Sequence, residues 1–136
     1  MRKENYYNFD IQGKVFIMQA TDVWDVTISE MFCQDIASET RPLMGSLWGM
    51  VVDLSQWGLC VPEVWGNIDN ALRHLQDNKL ICQAFIVNTT IHKDLMNKHQ
   101  TRVKEIEGHE PKSKFDFFEN YEVAIDWCNQ EIAHHK

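Results

Sequence analysis

The chain has 136 residues, 44% hydrophobic and 24% charged, and a formal net charge of −7. That length supports one domain with one core, and the composition excludes a disordered or fibrous chain. The acidic balance argues against general nucleic-acid binding, which needs Lys and Arg in excess on one face.

The charge is uneven. Residues 91–114 hold six Lys/Arg against four Asp/Glu, a net +2, while the remainder carries −9. The longest apolar runs, around Leu47–Leu54 and Leu80–Val87, are far shorter than the roughly 20 residues that cross a bilayer. Met1 through Ala20 lacks the order of basic start, apolar stretch and small-residue cleavage site that marks a secretory leader, so a cytoplasmic location is expected. Cys33, Cys60, Cys82 and Cys128 stand far apart, without the Cys-x-x-Cys spacing of zinc or thiol-redox sites, and read as reduced thiols in apolar surroundings.

In chain order, Tyr6–Ile11 and Lys14–Gln19 are β-rich runs on either side of Gln12-Gly13, which predicts a hairpin. Asp22 or Asp25 then caps a first helix carrying Ile28, Met31, Phe32 and Ile36, ended by Pro42. Leu47–Val52 is continuously apolar, as a strand covered on both faces requires, and runs into a polar turn, Asp53-Leu54-Ser55-Gln56. Pro62 and Glu63 suit the first turn of a second helix reaching about Asn78, with Val64, Trp65, Ile68, Ala71, Leu72 and Leu75 as its apolar stripe. Leu80–Val87 is a second buried strand, and Asn88-Thr89-Thr90 caps a third helix bearing Ile91, Leu95, Met96, Val103 and Ile106. Gly108–Ser113 is a loop, Phe115–Phe118 a short strand, and Asn120 opens a fourth helix through Ile132. The order ββαβαβαβα predicts an α/β fold with a mixed, largely parallel five-stranded sheet and four helices, in which Val51, Val52, Ile81, Phe85 and Val87 are buried.

Val51-Val52-Asp53-Leu54-Ser55-Gln56-Trp57, followed by Pro62-Glu63, resembles the SpoIIAA-like branch of STAS domains over nearly the whole chain. Trp24-Asp25, Ala124 and Trp127 support the likeness. The resemblance implies a single STAS-like domain across residues 1–136. It also implies a role like that of the anti-sigma factor antagonists, which are switched by phosphorylation of a Ser at the start of the helix after the central strand. The matching position falls near Pro62, and residues 56–88 contain neither Ser nor Thr, so that phosphoserine switch is expected to be absent. The branch is also similar to CRAL-TRIO lipid-binding domains, which implies an apolar or amphiphilic small ligand and peripheral membrane contact.

Trp57, Leu59, Val61 and Trp65 gather where the central strand turns into the second helix, at the carboxyl end of the sheet where open α/β folds bind ligands. Core packing accounts for the same tryptophans, since aromatic side chains carry large buried area. Thr89, Thr90 and His92 occupy the matching turn after the next strand, where free N–H groups of a helix start meet anions, although capping explains the threonines equally. Lys93, Lys98, Arg102 and Lys104, against the single acid Asp94, make the third helix a basic amphipathic segment suited to an anionic membrane or partner; a solvated outer face explains the same pattern. The histidines and cysteines have no metal-ligand spacing. No nucleophile–base pair or phosphate loop is present; Asp53 and Glu63 are the nearest approach to a paired acid and base. The expectation is a non-catalytic module without cofactor or metal that binds an apolar or amphiphilic small molecule. The alternative is a protein-interaction regulator of the anti-sigma factor antagonist type, and an exposed apolar patch would serve a homodimer as well.

Overall fold

The structure, a computed structural model, describes residues 3–58, 61–87 and 113–135. β1 (Tyr7–Gln12) and β2 (Val15–Asp22) form an antiparallel hairpin whose last pair is Gln12 with Val15. The turn is therefore Gly13-Lys14, one residue later than expected, because Gly13 takes the left-handed φ of 61° that a tight turn needs and that only glycine adopts freely. α1 (Val26–Glu39) is capped by Asp25, whose carboxylate accepts from the Ile28 N–H at 2.8 Å. Asp22, the other candidate cap, takes a positive φ of 65° and accepts instead from the Val23 N–H at 2.8 Å. The helix stops at Glu39, and Pro42 sits beyond it in a short 3-10 turn, Arg41–Leu43.

β3 (Trp48–Trp57) runs ten residues, so the polar stretch Asp53–Gln56 is strand and not the expected turn. Pairing with β2 continues past an irregularity between Gln19 and Thr21, with Thr21 opposite Gln56 and Asp22 opposite Trp57. A strand tolerates these polar residues because its side chains alternate: Leu54 enters the main core while Asp53 finds hydrogen-bond partners on the other side, and the extra β3 residue at the irregularity returns Trp57 to the core face. α2 (Pro62–Asp77), β4 (Leu80–Ile86), β5 (Lys114–Phe118) and α3 (Tyr121–His134) follow. Asn120 caps α3 by accepting from the Val123 N–H at 2.9 Å. The helix expected over residues 91–106 lies outside the described residues, among which there are three α-helices.

The strands lie in chain order, β1-β2-β3-β4-β5, in one mixed sheet: β1 is antiparallel to β2, and the pairs β2/β3, β3/β4 and β4/β5 are parallel. α1 and α2 pack beside one another on one face, over Phe16, Met50, Val52 and Phe85. α3 covers the opposite face, where Ala124, Cys128 and Ile132 meet Val15, Val51, Ala84 and Ile86. Helices on both sides explain why β3 and β4 read as continuous apolar runs. Val51, Val52, Phe85 and Val87 are buried as expected, but Ile81 is only half-buried. Trp48 pairs with Leu80 and Gly49 with Cys82, so Ile81 is the extra residue of a bulge and leaves the regular alternation.

Candidate functional site

A cavity of about 40 Å3 lies under α1 and α2 near the carboxyl ends of the central strands. Its floor is Met18 and Ala20 from β2, Val52, Leu54 and Trp57 from β3, and Phe85 from β4. Its walls are Trp24 from the loop before α1, Phe32 from α1, and Trp65, Ile68, Asp69 and Leu72 from α2. Trp57 stands edge-on between Trp24 and Trp65, with ring centroids 5.6 and 5.3 Å away. Trp24 and Trp57 are buried and Trp65 is half-buried.

The structure thus brings Trp57 and Trp65 together, as the sequence predicted, but Val61 stands apart, 54% exposed just before α2. Leu59, Thr89, Thr90, His92, Lys93, Lys98, Arg102 and Lys104 lie outside the described residues. Sequence reasoning missed Trp24 and Asp69. The i, i+4 spacing of Trp65 and Asp69 was available as a signal, since such residues share a helix face. Nothing in the sequence ties Trp24 to Trp57, which meet only because Asp22 ends β2 beside the end of β3.

The three described buried tryptophans differ in what their N–H groups do. Trp24 Nε1 donates to the carbonyls of Tyr6 and Thr21, both at 3.1 Å, and Trp48 Nε1 donates to the carbonyl of Asn78 at 2.9 Å. Trp57 Nε1 is buried without a hydrogen-bond partner, and so is Gln83 Oε1. Buried indole N–H groups are ordinarily bonded, so Trp57 is the exception within its own cluster.

Two further arrangements carry polar chemistry. Asp53, 3% exposed, accepts from the Ser55 N–H at 2.9 Å, from the Ser55 hydroxyl at 2.6 Å, and from the Tyr121 hydroxyl at the start of α3. Glu63, considered as its acid–base companion, is exposed in the first turn of α2, on the other side of the sheet. Asp53 therefore ties α3 to β3. Between α1 and α2 runs an open groove of about 480 Å3, lined among others by Glu30, Cys33, Asn67, Asn70 and His74. Within it the Cys33 thiol donates to the Asn67 carbonyl at 3.2 Å, and the Asn67 amide donates to Ser29 Oγ at 2.8 Å. Burial, with the Glu30 carboxylate nearby, pushes the Cys33 thiol up from its ordinary pKa, which disfavours thiolate chemistry there. Among the described residues no group of three His, Cys, Asp or Glu is placed to hold a metal ion, and no helix is long and apolar enough to cross a membrane.

Two phenols make stability sensitive to alkali. Burial, then the hydrogen bond and charge of Asp53, raise the pKa of Tyr121; burial, then Asp35, which accepts from Tyr7 at 2.6 Å, raise that of Tyr7. The unfolded phenols ionise near pH 10, so both groups contribute stability that is fully present below about pH 10 and is lost as pH rises toward their folded values. Urea unfolding from pH 8 to 11 should give a level free energy followed by a fall. The fall should be shallower in the double variant Tyr7→Phe, Tyr121→Phe, and an equal slope in both proteins would contradict this assignment.

The sequence matches no protein-family model and no curated protein. Two solved structures are similar in fold. One is an uncharacterised protein of the DUF3478 family with a SpoIIAA-like fold from Shewanella loihica PV-4: TM-score 0.63 and 14% identity, covering 90% of this chain and 91% of that one. The other is an anti-sigma factor antagonist from Mycobacterium paratuberculosis: TM-score 0.58 and 11% identity, covering 90% of this chain and 92% of that one. With helices on both faces of its five-stranded mixed sheet and these two likenesses over nine-tenths of its length, the chain has the SpoIIAA-like, STAS-like fold.

Proposed function

We propose that this chain is a non-catalytic protein-interaction regulator of the anti-sigma factor antagonist type, working without a phosphoserine at the start of α2. The observation that carries the reading is the likeness, over 90% of the chain, to an anti-sigma factor antagonist. The chemistry of the α2 start supports the second half: Val61 and Pro62 open the helix, and neither has a hydroxyl. The partner surface is the outer side of α2 with its groove against α1, where Asn70, Arg73 and His74 are exposed.

The test pairs the protein with an anti-sigma factor that has serine kinase activity. Native mass spectrometry is expected to give a complex that the double variant Asn70→Arg, Arg73→Glu weakens at least tenfold. Incubation with ATP should leave residues 56–88 without phosphate. No complex with any anti-sigma factor, or stoichiometric phosphate on Ser55, would sink the proposal; Ser55 lies in β3 with its hydroxyl donated to Asp53.

A second reading, a site for an apolar or amphiphilic small molecule, is favoured by one observation: the unpartnered Trp57 N–H beside a cavity. At about 40 Å3 that cavity is far below the roughly 300–1,000 Å3 of drug-sized ligand pockets. The site therefore suits a small molecule and not a lipid chain.

A further inference from the structure

We infer that Asp10 and Asp116 close the two edges of the sheet, so that neither a partner nor a second copy of the chain joins it by adding a strand. A partner is thereby confined to surfaces other than the strand edges, whichever of the two functional readings holds.

β1 and β5 are the outer strands, and both are rich in residues that favour pairing: Tyr7, Phe9 and Ile11 in β1, and Phe115, Phe117 and Phe118 in β5. An outer strand also carries a row of N–H and C=O groups facing away from the sheet, a template for another strand. In β1, Gln12 and Val15 close a two-residue hairpin as a hydrogen-bonded pair, and the Thr21 N–H donates to the Tyr6 carbonyl at 2.8 Å. The backbone groups of Asn8, Asp10 and Gln12 therefore face β2, and the N–H of Ile11 faces outward. In β5 the Phe118 carbonyl accepts from the Val87 N–H at 3.3 Å. By the same alternation Asp116 faces β4 with its backbone, and the N–H of Phe117 faces outward.

Both of these outward N–H groups are already taken. Asp10 accepts from the Ile11 N–H at 2.9 Å, and Asp116 accepts from the Phe117 N–H at 2.8 Å. The two sites share a pattern, Phe9-Asp10-Ile11 and Phe115-Asp116-Phe117, with the Asp side chain exposed in each. Asp22 makes the same bond to the Val23 N–H at 2.8 Å where β2 leaves the sheet, so the bond forms where an N–H lacks a strand partner. An added strand would have to displace each carboxylate from its N–H and strip water from the charge. Backbone hydrogen bonds, modest in net contribution, do not offset that loss.

The test is analytical ultracentrifugation of the full chain, with amide hydrogen exchange to locate any new pairing. Asp10→Ala should open one edge and double the wild-type mass, as β1 pairs with β1 of a second copy about a two-fold axis; exchange at Ile11 should slow at least tenfold in that dimer. Asp116→Ala should do the same through β5, with the slowing at Phe117. With both edges open, the double Ala variant should pass beyond dimers to longer assemblies, because each copy then offers two templates. Asp10→Asn combined with Asp116→Asn keeps a carbonyl oxygen to accept from each N–H while removing both charges, and should keep the wild-type mass. Both positions are exposed, so these substitutions remove no core contact. Should the double Ala variant not fold, the two single variants decide the matter edge by edge. An Ala variant that keeps the wild-type mass overturns the inference at the edge it was meant to open. Association of the Asn variant as readily as the Ala variant overturns it too, since charge repulsion and not the occupied N–H would then guard the edges. Slowed, concentration-dependent exchange at Ile11 or Phe117 in the wild type would show that edge already open.

Discussion

Gly49→Ala should destabilise the domain by about 2 kcal/mol or more, although alanine is ordinarily the easiest replacement for a glycine. A Cβ at Gly49 would stand 2.7 Å from Cys82 Sγ, 3.2 Å from Cys128 Cβ and 3.4 Å from Cys128 Sγ. Neither cysteine has room to retreat. Both are fully buried, Cys82 in β4 and Cys128 in α3, and the Cys128 thiol lies 3.6 Å from the Met50 carbonyl. Gly49 is thus the point on β3 where α3 comes down onto the sheet, and overpacking such a contact costs about 1–3 kcal/mol, occasionally more. For a domain of this size the melting temperature should fall by roughly 5–10 °C. Cys82→Ala removes the nearest clashing atom, so the double variant should recover at least half of the loss in a double-mutant cycle. A loss below about 0.5 kcal/mol, or no coupling between the two positions, would mean that α3 does not depend on this close approach.

Trp57→Ala should cost about 3–5 kcal/mol, the range for truncating a buried aromatic side chain. The ring fills the space between Trp24 and Trp65 and sits over the ends of β2 and β3. Trp57→Phe should cost much less. It retains most of the apolar volume and discards a buried donor that has no partner, and removing an unsatisfied group recovers part of its desolvation cost. Trp65→Ala should fall between the two, because Trp65 is half-buried on α2. Chemical denaturation of the three variants checks the order. If Trp57→Phe proves as damaging as Trp57→Ala, the indole N–H has a partner that matters, and the ligand argument fails with it.

The sequence by itself determined the order of the described elements and most of their limits, because these rest on local chemistry. Asp25 and Asn120 cap helices through bonds to residues three positions on, Pro62 starts α2, and Gly13 makes the hairpin turn. Val51, Val52 and Phe85 were legible as interior because a strand covered by helices on both faces must be apolar throughout. Trp57 and Trp65 were legible as neighbours because one strand-to-helix turn joins them. What lies far apart in the chain was decided by tertiary structure alone. Asp53 read as a turn residue until Tyr121, 68 positions on, supplied a partner that lets a carboxylate be buried in a strand. Ile81 read as core until the register of β3 against β4 made it the bulged residue. Trp24 joined the candidate site only through the parallel pairing of β2 with β3. The volume beside Trp57 was beyond any sequence pattern, since apolar residues that fill a space and those that line one are the same residue types; only their packed positions set how much room remains.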